Sequence, residues 1–479
     1  MEKRDTGRVK EEGILLLDHY DEAAEMLKDS FRSAGFSGPV VVLSEEASLP
    51  DDVISLYRMF CYDETAGALC GAVHVPRKKS EAEIQSYRLG HAGWLPGTSR
   101  YFNQIELPDY WEISADGMSA RVYDRNHLRA RIFYAKTLHS RIVSDADWLD
   151  ENGTVRFTDH YDLHGLLYAR TIFNEKGERF SCSWMDEEGR ERIVENYVTG
   201  DILVNRNGMT ELFSGRTELA VSLIRELGYE GQRIFYNSLS TPLFVSERLA
   251  SCKAGNVLFW QEEPRDDIPG NMQMILAGNS HTKEILVQNR KSCRKLLSLG
   301  ASSEEVRPFG FVYAFDHAGR NRNEVLICTN SDQIASLEEL VKGLPEMNFR
   351  IAAVTEMSSK LLAFGSYPNV RLYPAASRQI LNQLFAACGW YFDINYGNEI
   401  VSAVKHAFLN EMLIMGFSST LHRPQYVAEE HVFADAEGLI AEVKKLMASE
   451  SMQEEHLSLQ KQAAMSEPIT SYQHLFLNH

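Results

Sequence analysis

The spacing of hydrophobic residues changes twice along the chain. Residues 14–43 predict a strand, an amphipathic helix that ends at a glycine and a second strand, in "ILLLDHY", "DEAAEMLKDSFRSAG" and "PVVVL". From about residue 60 to residue 215 hydrophobic and polar residues alternate instead, in runs such as "YWEIS", "SARVYD" and "RARIFYAK". After residue 216 strands and helices follow one another again. We therefore predict an antiparallel β-region inserted into an α/β domain.

Four glycines mark the turns of the predicted β-region. Gly153, Gly165, Gly177 and Gly189 follow one another at intervals of twelve residues, in "DENGT", "DLHGL", "NEKGE" and "DEEGR". Glycines between alternating runs are typical of β-hairpins. The spacing predicts a meander whose hairpin tips recur along one edge.

A second α/β region follows the polar segment "FDHAGRNRNE" (315–324), which we interpret as a hinge. Apolar strands from "EVLICT" to "MLIMGFSS" are separated by amphipathic helices, which indicates a parallel sheet covered on both faces. The predicted fold class is α/β, with two facing Rossmann-like domains and an inserted antiparallel β-meander. The predicted domains are 1–59 with 216–315 (first Rossmann-like domain), 60–215 (inserted β-domain), 316–440 (second Rossmann-like domain) and 441–479 (C-terminal helix and tail).

Composition narrows the classes of function. The 479 residues include 49 Lys and Arg against 67 Asp and Glu, and the resulting net charge of -18 opposes binding to nucleic acid or anionic lipid. Seven scattered cysteines without a CxxC pair predict reduced thiols and no structural zinc, so we expect neither metal nor cofactor. No run approaches the ~18 apolar residues of a membrane span. We expect a cytoplasmic protein, at most peripheral to the inner face of the membrane.

Several long stretches carry a resemblance to a known family. The order of "EVLICTNSDQIASLEELVKGL" and "DINYGNEIVSAVKHAFLNE", together with "LPDDVISLYRMF", "ERIVENYVTGDI" and "FRIAAVTEMSSKLL", is similar to the non-catalytic partner of the bacterial accessory-Sec glycosyltransferase pair. The resemblance covers about residues 14–440 and implies a fold like that of GT-B glycosyltransferases. It also implies a non-catalytic co-activator in a hetero-oligomer, whose catalytic subunit adds N-acetylglucosamine from UDP-N-acetylglucosamine to serine-rich repeat adhesins. The inserted β-domain would bind that subunit.

The resemblance implies a degenerate donor site. Catalytic members carry two glutamates, eight positions apart, where this chain has Asn398 and His406. They also carry Arg and Lys for the donor diphosphate after the first strand of the second domain, where this chain has Asp332. Glu399 is one residue away from the glutamate position, and a helix starting there would turn its side chain by roughly 100°. We therefore expect no catalytic residue.

The carboxyl ends of strands in both Rossmann-like domains supply candidate contacts for the acceptor polypeptide, because ligands of such sheets bind there. A histidine that faces the transferred sugar in catalytic members is replaced here by the end of the strand "NVLFW". The candidates are Trp260, Gln261, Glu262, Asn395, Tyr396, Asn398 and His406. We expect them to bind the acceptor or its attached sugar without catalysing transfer.

Two other functions remain open from the sequence. The chain could be an active retaining glycosyltransferase that uses Glu399 or Glu262 as its acid, or a sugar-binding module unrelated to transfer. Two motifs also have a structural and a functional interpretation. Serines in "MSSKLL" (357–362) could bind an anion, but capping of a helix is favoured. Arginines and aromatics in residues 121–136 could bind nucleic acid, but a half-buried strand is favoured.

Overall fold

The computed structural model describes residues 13–44, 49–50, 52–61, 94–95, 97–135, 141–316 and 321–476. The chain divides into two compact units. The first unit comprises Met1–Pro308 with Tyr472–His479, and the second comprises Phe309–Ser471.

The described strands and helices are numbered in chain order. The strands are β1 (Ile14–Leu17), β2 (Val40–Val42), β3 (Ile54–Ser55), β4 (Trp111–Ala115), β5 (Ser119–Asp124), β6 (His127–Tyr134), β7 (Val143–Leu149), β8 (Val155–Tyr161), β9 (Leu167–Phe173), β10 (Arg179–Met185), β11 (Glu191–Asn196), β12 (Ile202–Arg206), β13 (Met209–Phe213), β14 (Ile234–Tyr236), β15 (Asn256–Trp260), β16 (Thr282–Val287), β17 (Val306–Pro308), β18 (Asn321–Thr329), β19 (Asn348–Ala353), β20 (Val370–Tyr373), β21 (Cys388–Asp393), β22 (Leu413–Phe417) and β23 (Val432–Phe433). The helices are α1 (Glu22–Ser33), α2 (Leu56–Cys61), α3 (Arg216–Glu226), α4 (Thr241–Arg248), α5 (Gly270–Leu276), α6 (Arg290–Ser298), α7 (Leu337–Gly343), α8 (Ser359–Leu362), α9 (Arg378–Ala387), α10 (Ala403–Leu409), α11 (Ala436–Met447), α12 (Glu450–Ala463) and α13 (Ile469–Phe476).

The first unit contains a parallel sheet in the order β17-β16-β15-β14-β1-β2-β3. Strand β1 pairs with β2 on one side and with β14 on the other. All four residues of β1 are buried, as expected for a strand covered on both faces. The chain therefore leaves this sheet after β3 and returns to it at β14, as the change of hydrophobic period predicted.

Between β3 and β14 the chain forms a ten-stranded antiparallel sheet in which β4 to β13 follow one another in order. Four of its turns share one geometry, in which a glycine has φ between 74° and 82° and an Asx side chain accepts two backbone N–H groups. The predicted position of the tips is wrong, because each twelve-residue repeat holds one strand and one turn and so reverses the chain. Successive tips lie at opposite ends of the sheet.

The two faces of the antiparallel sheet are covered at different places. On one face, Trp184 of β10 stacks on Tyr57 of α2 with ring centroids 4.1 Å apart. On the other face, the strands β5 to β7 pack against Ile105. On that same face, farther along, β9, β11, β12 and β13 present exposed or half-buried apolar side chains, while β10 presents Ser181 and Ser183. This open face comprises Ile172, Val194, Leu203 and Leu212, and the register of neighbouring strands places them on one side.

The second unit contains a parallel sheet in the order β20-β19-β18-β21-β22-β23. One hydrophobic core forms under α7, α8 and α11, and another forms under α9 and α10. The predicted hinge is wrong in part, because residues 321–324 belong to β18, and residues 317–320 lie outside the described chain. The predicted boundary at 440/441 falls within α11.

The predicted fold class, with two Rossmann-like parallel sheets and an inserted antiparallel meander, is confirmed. Residues 121–124 belong to β5 and residues 127–134 form β6, which confirms the strand interpretation for the described part of that stretch. Among the described helices, none has both the length and the hydropathy that a membrane span requires.

Candidate functional site

The candidate site in the second unit is the loop that follows β21 at the carboxyl edge of its sheet. This site loop comprises residues 394–402 and ends at Val401 and Ser402, which both have positive φ. Helix α10 begins only at Ala403. The expectation that Glu399 lies at a helix start is therefore wrong, because the chain is not yet helical there.

Asn395 and Tyr396 fix the start of the site loop. The Asn395 side chain is 3% exposed, and its Oδ1 accepts hydrogen bonds from Thr329 Oγ1 at 3.0 Å and Ser331 Oγ at 3.2 Å. The Tyr396 N–H donates to the Gln333 carbonyl at 2.9 Å. Asn395 thus ties the site loop to the segment after β18. The Tyr396 ring is 59% exposed and is the more accessible of the two for a ligand.

Asn398 and Glu399 occupy the middle of the site loop. The side chain of Asn398 is exposed. The Glu399 carboxylate accepts from Arg423 Nε at 2.6 Å and from the Val404 N–H at 3.0 Å. Both oxygens of Glu399 are therefore engaged within the protein, which weighs against its use as a catalytic acid or nucleophile.

His406 lies on the exposed side of α10, with its ring centroid 5.4 Å from that of Phe385. Desolvation first, and the positive charges of Lys405 and Arg378 next, lower the pKa of His406. Because the ordinary pKa is about 6.5, the imidazole is mostly neutral at pH 7. It can form hydrogen bonds but cannot replace the negative charge of a glutamate.

Asp332 lies in the segment after β18 and is bound by the start of α8. Its Oδ2 accepts from Ser358 Oγ at 2.9 Å, and its carbonyl accepts from Lys360 Nζ at 3.4 Å. Ser358 also caps α8 by accepting from the Leu361 N–H at 3.3 Å, which confirms the capping interpretation. Asp332 and Lys360 line a cavity of about 380 Å³ together with Ile334. An acid at this position would repel a donor diphosphate.

The candidates in the first unit are less accessible than the sequence suggested. The ring of Trp260, the last residue of β15, is 2% exposed and lies in the hydrophobic core. The expectation that Trp260 contacts the acceptor is therefore wrong, because almost none of the ring is accessible. The Gln261 amide donates to the Ala23 carbonyl at 3.0 Å and to Gln288 Oε1 at 2.8 Å. Glu262 pairs with Arg265. These three residues form one group in the first unit, while the other candidates form a second group around the site loop.

Sequence reasoning missed the polar group that holds the other side of the site loop. After β22 the chain turns so that the imidazole of His422 lies 2.5 Å from Asp393 Oδ1, at the end of β21. The signal available was the polar pair "HR" shortly after a predicted strand, where side chains reach the carboxyl edge of a parallel sheet. Within the described chain, no group of three His, Cys, Asp or Glu residues is placed to hold a metal ion.

Family models match most of the chain. They are the GtfB N-terminal domain at residues 14–60, the GtfB middle domain at 111–214, the GtfB third domain at 216–299 and the GftB/GlyA-F C-terminal domain at 325–460.

Similar proteins agree with these matches. The chain is 35% identical to the UDP-N-acetylglucosamine–peptide N-acetylglucosaminyltransferase stabilizing protein GtfB of Streptococcus gordonii, over 96% of this chain and 97% of the relative. Identity to the protein of the same name from Streptococcus agalactiae is 36%, over 91% and 93% of the two chains. A chain in the crystal structure of a GtfA/B complex bound to UDP and GlcNAc superposes with a TM-score of 0.82 at 34% identity, covering 97% of this chain and 99% of that one. The chain therefore belongs to the GtfB family of peptide N-acetylglucosaminyltransferase stabilising proteins.

Proposed function

We propose that this chain is a non-catalytic, stabilising co-activator of a protein O-glycosyltransferase complex. Its catalytic partner would transfer N-acetylglucosamine from UDP-N-acetylglucosamine to serine and threonine of a serine-rich repeat adhesin. This chain would bind the partner and hold the acceptor polypeptide, raising its effective concentration. The complex would work in the cytoplasm, at most peripherally at the membrane. Two similar streptococcal proteins are named as stabilising proteins of such a transferase, which supports the proposal.

The observation that carries the proposal is that the carboxylate of the site loop, Glu399, is already hydrogen-bonded within the protein. Glu399 is held by Arg423 and by the Val404 N–H, and the two positions of the expected glutamate pair have the uncharged side chains of Asn398 and His406. Asp332 adds negative charge where a diphosphate would need cations. Asn398 and His406 can bind a neutral polar ligand, and both oxygens of Glu399 are engaged, so residues 394–402 offer no unengaged carboxylate for glycosyl transfer.

The exposed groups of the site loop suit an acceptor polypeptide or its attached sugar. The Tyr396 ring offers an apolar surface with a polar tip, and the exposed amide of Asn398 can donate and accept hydrogen bonds. Serine and threonine hydroxyls and N-acetyl groups are neutral partners for such side chains. We therefore keep Tyr396, Asn398 and His406 as acceptor contacts within the proposal.

The partner would dock on the antiparallel sheet. Leu203 and Leu212 lie directly opposite each other on β12 and β13, and they are 39% and 67% exposed. Ile172, on the same face, is 40% exposed. A group of exposed aliphatic side chains on one sheet face is typical of a surface that binds another protein.

Turnover by purified proteins tests the function. The chain alone, with UDP-N-acetylglucosamine and an acceptor, should give no transfer above background, whereas the chain with its catalytic partner should be active. In that complex, Asn398→Ala and Glu399→Gln should leave kcat within about twofold, because neither residue would take part in bond making. Asn398→Ala should raise KM for the acceptor.

Transfer by the isolated chain that is abolished by Glu399→Gln would instead show an active enzyme and contradict the proposal. Failure of the chain to form a complex with any catalytic subunit would favour a sugar-binding module. The matched control is Leu299→Ala, a change at a partly exposed position on the first unit that should alter neither kinetic constant.

A further inference from the structure

The loop after β22 crosses the carboxyl end of β21 and binds it at several points. We name residues 419–423 the strap. The Thr420 hydroxyl donates to the Asp393 carbonyl at 2.6 Å, and the His422 N–H donates to Asp393 Oδ2 at 2.8 Å. At the end of the strap, Arg423 binds Glu399. The strap therefore contacts both the end of β21 and the middle of the site loop.

The crossing depends on a glycine at the end of β22. A Cβ at Gly416 would lie 2.5 Å from the Asp393 carbonyl oxygen and 2.8 Å from Leu421 Cδ2. Atoms do not approach so closely without displacement, so any other residue would displace the Asp393 carbonyl, which accepts the hydrogen bond of Thr420 in the strap. The close approach of strap and strand is thus built into the sequence at this position.

His422 joins the strap to the site loop through both ring nitrogens. Its Nδ1 lies 2.5 Å from Asp393 Oδ1, and its Nε2 lies 2.6 Å from the Gly397 carbonyl oxygen. An ionised carboxylate and a carbonyl can only accept hydrogen bonds. Both ring nitrogens must therefore carry a proton, which means that the ring is a positively charged imidazolium. Asp393 is 1% exposed and supplies the compensating negative charge.

We propose that the His422 imidazolium is a positioning residue that clamps the site loop at Gly397 in the conformation that receives the acceptor. This inference rests on the proposed function for the acceptor, but the clamp can be tested apart from it. The clamp acts between Asn395, which is held from the β18 side, and Glu399, which is held by Arg423. It leaves Tyr396 and Asn398, the exposed residues on either side of Gly397, at fixed positions.

The surrounding charges agree with a ring that stays protonated. The hydrogen bond to Asp393, against an opposing effect of burial, raises the pKa of His422 to about 9. The titratable groups that face it are Asp393, Glu399 and Arg423, with Tyr391, Cys328 and His406 nearby. Burial raises the pKa of Tyr391 and of Cys328, and His406 is already neutral at pH 7. Of Tyr391, Cys328, His406 and His422, only His422 changes its charge between pH 7 and pH 10.

Hydrogen exchange in the full chain tests the clamp without any ligand. His422→Gln keeps one donor but removes the charge and the second donor. Losing a hydrogen bond of a charged group should speed amide exchange in residues 394–402 by about tenfold or more, with little change in β18 to β20. The control His474→Gln, on the exposed side of α13, should leave exchange of the site loop unchanged. Wild-type protein taken from pH 7 to pH 10 should show the same local loss of protection after correction for intrinsic exchange.

Binding of a labelled peptide of serine, threonine and alanine then tests the acceptor site separately from the clamp. Faster exchange with several-fold weaker binding supports both the clamp and the acceptor site. Faster exchange with unchanged binding supports the clamp but shows that the acceptor binds elsewhere. Unchanged exchange in both the variant and the alkaline wild type overturns the clamp, whatever the peptide affinity.

Discussion

At the scale of single residues, we expect the buried His431 to make the second unit sensitive to acid. His431 is 0% exposed, and its Nε2 lies 3.0 Å from Nδ1 of His456 on α12. Burial first, and His456 next, lower the pKa of His431 to about 4. Since this folded-state pKa is below the unfolded value of about 6.5, the stabilisation is present above pH 6.5 and is lost as pH falls through 4.

We predict that His431→Asn flattens this acid dependence. Between pH 6.5 and pH 4 the wild-type free energy of unfolding should fall by about 3 kcal/mol more than that of the variant, from the pKa difference at 1.36 kcal/mol per unit. Denaturant titrations of the full chain at several pH values measure this difference. His127→Asn, at an exposed histidine of β6, should retain the wild-type slope. Equal slopes for wild type and His431→Asn would contradict the prediction.

Residue-level prediction from the sequence succeeded where the cause is local. The four glycines at twelve-residue intervals have positive φ because each turn requires it, and no distant contact decides the matter. It failed for Trp260, whose burial depends on how β15 is covered on both faces. It also failed for His422 and Asp393, which are 29 positions apart and meet only because β21 and β22 are neighbours in the sheet.

At the scale of elements, the part of α13 that begins at Tyr472 packs in the core of the first unit. Tyr472 and Phe476 of α13 are buried, and both rings contact Phe31 of α1, with centroids 5.4 and 6.1 Å away. The Arg233 guanidinium, itself 6% exposed, donates to the Leu475 carbonyl at 2.6 Å. A short helix is marginal in isolation, so these tertiary contacts must supply its stability.

We predict that Tyr472→Ala lowers the free energy of unfolding by about 3–5 kcal/mol, because it removes a buried aromatic ring and leaves a cavity. The loss should appear in the transition that reports on the first unit, measured by denaturant titration with hydrogen exchange of α1. Ile469→Ala, at a 45% exposed position of the same helix, should change stability by less than about 1 kcal/mol. If Tyr472→Ala were as stable as the wild type, the packing of α13 would not be required for the stability of the first unit.

Elements were easier to predict than their arrangement. Alternation of hydrophobic and polar residues identifies the strands of the meander, because in a half-buried strand one face is buried and the other is exposed. The sequence placed the start of α10 too early, because residues 400–402 are apolar or small and therefore compatible with a helix. In the structure Val401 and Ser402 adopt positive φ instead. That backbone conformation follows from contacts of the site loop with the segments after β18 and β22, which are distant in sequence.

At the scale of the whole molecule, the net charge of the chain opposes association with acidic surfaces, whereas its open face favours association through apolar contacts. A net charge of -18 opposes contact with other acidic surfaces. The open face is instead made of aliphatic side chains, whose burial gains free energy from removal of apolar area from water, and salt does not screen that gain. An interface built on it should hold at high ionic strength, unlike one built mainly on exposed ion pairs.

We predict that Leu203→Glu and Leu212→Glu each weaken the complex with the catalytic subunit by about tenfold or more, which corresponds to about 1.4 kcal/mol. The physical reason is that an unpaired carboxylate would be desolvated where an aliphatic side chain now packs. Equilibrium sedimentation or titration calorimetry measures the dissociation constant at low and high salt, and the wild-type value should change by less than about threefold between them. Leu299→Glu is the matched control, because Leu299 is 37% exposed on the parallel-sheet part of the first unit, close to the 39% of Leu203. If both open-face variants bound the partner with wild-type affinity and kept native hydrogen exchange in β12 and β13, the partner would bind another surface.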